Sequence, residues 1–458
     1  MVGVPAAQST TTPSSQLLSH KPAYKSLALR GGLVDCLDNP FEVSPAQSIR
    51  YIPDGLLVIE QGRISAVGPY STLKETYGAI PIHHYPHRLI TPGFIDAHIH
   101  YPQTGVVAAY GEQLLSWLSE YVFPAEGRFH DRAYAQGVAE LFLDELLRHG
   151  TTTALVFTTI FSASVDAFFE AAERRNLRMI AGRVMMDRHA PSYLCDKAVS
   201  SFEESRELIH RWHSRGRALY AVTPRFAITS SAKQLAAAGQ LLQEFPDVYL
   251  HTHLSESAAE VAQVSELFPH CRDYLQVYEQ AGLVTDRSVF AHGVQLAPSE
   301  FERLSAAQSA IAFCPTSNLF LGSGLFPLHQ AITPEHPVKL GLGTDIGAGT
   351  SFSLLRTAGE AYKVAQLQGQ TLSPFQAIFL ATLGGARALN LDHVLGNFEV
   401  GKEADVVVLN SRATPLMSFR NSEWPTTLEQ LSDRLFSLMI LGDDRAVEAT
   451  YIMGERLI

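Results

Sequence analysis

Thiols are few and poorly spaced for cross-linking. Cys36, Cys195, Cys271 and Cys314 stand far apart, with no C-x-x-C pair. This argues against a disulfide framework or a thiolate zinc site, and a reducing cytoplasmic setting fits it best. Long apolar runs are missing too: none approaches the roughly 20 residues of a membrane span, so no membrane partner is expected. The first twenty residues have no basic segment and no apolar core, which is not a secretory signal. A flexible tail over 1–25 is the simpler expectation. Positive charge is not in excess either. The formal net charge of -11 argues against a nucleic-acid partner. No G-x-G-x-x-G follows the first candidate barrel strand, which weighs against a dinucleotide fold.

What is present is a globular composition, with 46% hydrophobic and 18% charged residues. The 458 residues suit two ordinary domains, or one barrel-sized domain with an appendage. From about residue 26 to 90 the pattern is short strands and turns, and 54–60 and 63–68 flank Gln61-Gly62 as a β-hairpin. The chain ends in the same style at 403–409 and 446–453. A composite β-sandwich domain from 26–91 and 392–458 is therefore expected, around a middle segment 92–391. That middle alternates apolar runs at 94–98, 152–157, 179–186, 219–224, 248–253, 289–293, 310–315 and 338–344 with helical stretches such as 132–148, 164–174, 202–215 and 232–244. Such alternation predicts parallel strands with crossover helices, an α/β fold of the TIM-type (β/α)8 barrel class. A doubly wound open sheet is the runner-up.

Chemistry in a TIM-type barrel sits at the C-terminal ends of the strands. Strand one ends in His98 and His100, whose side chains share a face because they are two residues apart. Strand five ends His251-Thr252-His253-Leu254-Ser255-Glu256, strand six carries His292, and strand eight ends Gly343-Thr344-Asp345. Three neutral imidazoles and a carboxylate suit zinc or ferrous iron, with water in a remaining position. A bound cation of that kind brings the pKa of water towards neutrality. Glu256, three residues past His253, is placed to act as acid and base, and Asp345 can also take the water proton. Alternation leaves either His251 or His253 as the strand-five ligand, with His253 nearer the mouth. Elsewhere, His83, His84 and His87 read as loop histidines, His210 and His213 as solvated positions on a surface helix, and Cys314 as a buried apolar residue.

Together these residues resemble the amidohydrolase superfamily from about residue 26 onwards. The run Pro92-Gly93-Phe94-Ile95-Asp96-Ala97-His98-Ile99-His100 is similar to its strand-one signature, and Gly343-Thr344-Asp345 to its strand-eight signature. Strand four, Ala221-Val222-Thr223-Pro224-Arg225-Phe226, has no lysine to bridge two metals, so a single-metal site is implied. Tyr101-Pro102-Gln103, Tyr110-Gly111-Glu112-Gln113, Phe123-Pro124-x-Glu126 and Pro224-Arg225-Phe226 narrow the likeness to the guanine-deaminating branch.

That resemblance implies hydrolysis of guanine to xanthine and ammonia in purine metabolism. It implies one Zn2+ per subunit, with Fe2+ as the alternative, held by His98, His100, His253 and Asp345. It gives Glu256, Asp345 and His292 catalytic roles and assigns Gln103, Arg225 and Phe226 to the purine, and it implies a homodimer. Competing readings are another aminoheterocycle deaminase, a hydrolase of chlorinated rings, or a metal-free binding protein. The apolar spacing of Gly111, Leu114, Leu115, Trp117 and Leu118 reads either as core packing or as part of a lid over 101–130.

Overall fold

The computed structural model describes residues 26–111 and 113–458. The expected tail over 1–25, and Glu112 of the quoted motif, lie outside the described residues.

Eight parallel strands form a nearly closed barrel: Phe94–His100, Thr151–Phe157, Arg178–Gly182, Leu219–Pro224, Tyr249–Leu254, Ser288–His292, Ala310–Phe313 and Lys339–Leu342, each beside the next. Covered on both faces, these strands need no apolar–polar alternation, and all seven residues of Thr151–Phe157 are buried. The seam between the last and first strands is tied at its C-terminal end. There the Asp345 N–H donates to the His98 carbonyl at 2.9 Å and the His100 N–H to the Ile346 carbonyl at 3.1 Å.

The apolar run at 179–186 is not one strand. It breaks at Arg183, whose backbone N–H donates to the Tyr220 hydroxyl and whose guanidinium reaches Asp196 and Glu204. Val184–Met185 then pairs separately with Thr223 and Pro224.

The crossover helices carry their start signals in the sequence. Asp131 caps Arg132–Arg148 by accepting from the Ala133 and Tyr134 N–H groups, and Ser231 caps Ala232–Glu244 by accepting from Gln234. Ala135, Ala139, Phe142 and Leu146 then lie on one buried stripe against the barrel.

Both chain ends build a second, mixed sheet of seven strands. Its order is Glu455–Arg456, Val447–Ile452, Val406–Leu409, Ile82–Pro92, Leu27–Cys36, Ile49–Glu60 and Arg63–Pro69. The hairpin closes with Glu60 opposite Arg63. Gln61 (φ 51°) and Gly62 (φ 77°) supply the two positive φ values that a tight two-residue turn needs. Ile82–Pro92 is separated from barrel strand one only by Gly93, where an added Cβ would sit 2.1 Å from Thr152 Oγ1. A buried ionic cluster seats the sheet under the barrel: Arg178 pairs with Glu403 at 2.5 Å, and Arg217 with Glu403 at 2.8 Å and with Asp405. Between the sheet's C-terminal strands the chain inserts the helices Pro415–Arg420 and Leu428–Leu441, the second burying Leu431, Leu435 and Leu438 at helical spacing.

Candidate active site

Four donor atoms converge at the C-terminal mouth of the barrel. His100 Nε2 lies 3.2 Å from both His98 Nε2 and His253 Nε2, and Asp345 Oδ1 lies 3.2 Å from His98 Nε2 and 3.3 Å from His100 Nε2. At bonds of roughly 2.0 Å, neighbouring ligands of one ion stand about 3 Å apart. The spacing therefore fits a single divalent cation of the zinc or ferrous class.

The charge states agree with that fit. Burial pushes His98 below its ordinary pKa, His253 well below it, and His100 down to about 3, so all three are neutral imidazoles at neutral pH. Burial alone would raise Asp345. The surrounding imidazoles of His98, His100 and His292 outweigh it and hold the carboxyl well below its usual range, hence ionised.

Hydrogen bonds behind the cluster orient part of it. The His253 Nδ1–H donates to the Arg225 carbonyl at 2.7 Å, which turns Nε2 towards the cavity. His292 Nδ1 lies 2.9 Å from Asn318 Oδ1, and its Nε2 faces Glu256 Oε2 at 3.5 Å and Asp345 Oδ2 at 3.8 Å. Asp96 binds the strand-one and strand-eight ends together by accepting from the backbone N–H groups of His98 and Thr344, both at 3.1 Å, and from the Thr344 hydroxyl. His292 (φ 76°) and Asp345 (φ 51°) both occupy the left-handed region, which costs an ordinary residue on the order of 1–3 kcal/mol and clusters at functional sites.

The donors open into a cavity walled by Gln103, Leu114, Trp117, Leu118, Arg225, Phe226, Glu256, His292, Leu321 and Ala348. Glu256 is 3% exposed, and burial, then the charge of Asp345, pushes it up to about 8. It is a carboxyl that holds its proton at neutral pH. Its Oε1 accepts from the Ser323 hydroxyl at 3.2 Å, and its backbone N–H is fixed by Glu260 Oε2 at 2.7 Å. Glu260 is at the same time the fourth residue of a Ser257 capping box.

On the opposite wall Arg225 Nη1 donates to both Glu126 oxygens at 2.8 and 2.9 Å, and both residues are buried. Gln103 Nε2 donates to Glu126 at 3.4 Å, while its Oε1 accepts from the Gly347 N–H at 3.2 Å. The Phe226 ring lies 6.3 Å from that of His253.

The donors, Gln103, Arg225, Phe226, Glu256 and His292 thus gather at one cavity, and His251 lies behind them. Glu126, Asp96, Asn318 and Ser323 were not assigned roles from the sequence, and no spacing rule connects them to the site. Leu114, Trp117 and Leu118 are both buried packing and cavity wall, so the two readings of that segment describe the same side chains. His83 and its neighbours lie in the strand Ile82–Pro92 rather than in a loop, with His83 Nδ1 3.0 Å from the Tyr451 hydroxyl. His213 is not solvated. It follows its helix as the capping residue, with Nδ1 accepting from the Tyr220 N–H and Nε2 at 3.1 Å from Asp247.

A barrel with this donor set at its mouth and a second sheet from both chain ends is a hydrolase scaffold, and the chain belongs to the amidohydrolase family, whose model matches residues 89–457. Among its relatives is guanine deaminase of Escherichia coli (strain K12), 53% identical over 431 residues that cover 93% of this chain and 96% of that one. The solved structure of the E. coli guanine deaminase superposes with a TM-score of 0.90 at 52% identity, covering 94% of this chain and 99% of that one. The crystal structure of guanine deaminase from Bradyrhizobium japonicum gives a TM-score of 0.92 at 41% identity, covering 94% and 99%.

Proposed function

We propose that this chain is a hydrolase that converts guanine and water to xanthine and ammonia. The observation that carries the reading is the Arg225–Glu126–Gln103 wall lining the same cavity as the donor cluster, with polar groups placed to pair with a ring edge. Relatives that match nearly the whole chain bear the name guanine deaminase. We assign His98, His100, His253 and Asp345 to one Zn2+ per chain, with Fe2+ the alternative. When bound, the cation acidifies water and so supplies hydroxide near neutral pH.

The remaining work falls to side chains. Asp345 accepts the proton released as oxygen adds to the amino-bearing ring carbon. Glu256, protonated at neutral pH, delivers its proton to the adjacent ring nitrogen, then takes up the proton lodged on Asp345 and passes it to the amine, which leaves as ammonia. His292, braced by Asn318, holds the attacking oxygen through Nε2. Glu126 takes up Nη1 of Arg225 and leaves the rest of the guanidinium fork to donate to the purine carbonyl. Adenine has an amino donor at that position and is rejected. Gln103 has a second Nε2 hydrogen for the ring edge, and Phe226 offers an apolar ring beside it. The setting we assign is cytoplasmic purine turnover, with the chain as a homodimer.

Ammonia release from guanine, 8-oxoguanine, adenine and cytosine tests the assignment. Guanine should be strongly preferred, and equal or faster turnover of another ring would overturn it.

A further inference from the structure

His251 takes no part in the chemistry above, yet it is wholly buried directly behind the donor cluster. Its Nε2 lies 2.7 Å from His98 Nδ1, the two rings meet nearly at right angles with centroids 4.9 Å apart, and Phe157 closes over it at 4.4 Å. A nitrogen–nitrogen contact of this length holds one proton, and that proton can be arranged in two ways. With His251 as donor, His98 keeps its own proton on Nε2, aimed at Asp345, and has no lone pair for a cation. With His98 as donor, Nε2 is free, and His251 must hold its proton on Nδ1. That nitrogen is buried without a hydrogen-bond partner among the described residues. It is unpaired in either arrangement, so the choice between them falls to the cation, which needs the His98 Nε2 lone pair.

We infer that His251 is a positioning residue: as a neutral acceptor it keeps the His98 proton on Nδ1 and commits His98 Nε2 to the cation. The inference rests on the assignment of His98 as a ligand. It also gives both strand-five histidines a task, His253 at the cavity and His251 behind it.

The test compares His251→Leu, which removes the acceptor, with His251→Gln, whose amide oxygen can reach the same point. Zn2+ affinity is measured by chelator competition, and thermal melting of the metal-free proteins is followed in parallel. His251→Leu should bind Zn2+ on the order of 10–100-fold more weakly. His251→Gln should restore most of that loss, with unchanged metal-free melting in both. Equal affinity of the leucine variant and wild type overturns the inference, as does a glutamine variant no better than leucine. Wild-type protein that holds no Zn2+ overturns the ligand assignment beneath it instead. Should His251→Leu fail to fold, nitrogen chemical shifts of labelled histidines in Zn2+-loaded wild type decide the matter. A protonated Nδ1 on His98 supports the inference, and a proton on His251 Nε2 overturns it.

Discussion

His253 is tied to Arg225 twice: its backbone N–H donates to the Arg225 carbonyl at 3.2 Å, and its ring Nδ1–H donates to the same oxygen at 2.7 Å. One residue therefore braces a cation donor through its backbone and faces the cavity through its side chain. The two roles separate by substitution. Arg225→Lys should leave cation content at the wild-type level and raise KM for guanine by roughly tenfold to a hundredfold, the worth of a charged hydrogen bond. Metal analysis beside steady-state kinetics checks this, and joint loss of cation and affinity would contradict the separation.

Glu126 and Arg225 are both buried, so removing one strands the other. Glu126→Ala should destabilise the protein by about 3–5 kcal/mol, as loss of one partner of a buried pair does. A denaturant titration of variant and wild type reads the difference, and a change under about 1 kcal/mol would mean that water already reaches the guanidinium.

Glu256→Gln keeps shape and burial but removes the transferable proton. Turnover should fall ~10²–10⁴-fold while cation content and melting temperature hold. Near-wild-type turnover with cation bound would remove Glu256 from the proton path.

The same carboxyl predicts an alkaline limit. Burial raises Glu256 to about 8, so its acid form is present below that pH and is lost as pH rises through it. The expected kcat/KM profile falls on the alkaline side, near pH 8 or lower, because a bound cation's charge favours the ionised carboxyl. A profile flat to pH 10 would assign the proton to another group.

Chelation should abolish turnover, and one equivalent of Zn2+ or Fe2+ should restore it. Comparing the two reconstituted proteins tells which ion serves. Full activity after exhaustive chelation would refute the cation assignment.

Much of the scaffold was legible because its signals are local. Arg132–Arg148 and Ala232–Glu244 match their expected spans, since a capping residue and a buried stripe lie within each segment. The Gln61-Gly62 turn is equally local. His213 was misread because its partners, the Tyr220 N–H and Asp247, come from other elements, and helical spacing alone made it look solvated. Arg183 likewise interrupts an apolar run because Asp196 and Glu204 reach it from later in the chain.

The sequence by itself determined the α/β barrel alternation and the donor types at the strand ends, because apolar runs, helix caps and residue chemistry are properties of short segments. Only the tertiary structure decided how the donors share the work. His251 and His253 lie on one face of one strand, so alternation cannot separate them. The depth of each relative to strands one and four sets His253 Nε2 beside His100 and leaves His251 behind His98. The supporting shell of Asp96, Glu126, Asn318 and Ser323 arises the same way: barrel closure brings together carboxylates, amides and hydroxyls that no sequence spacing relates.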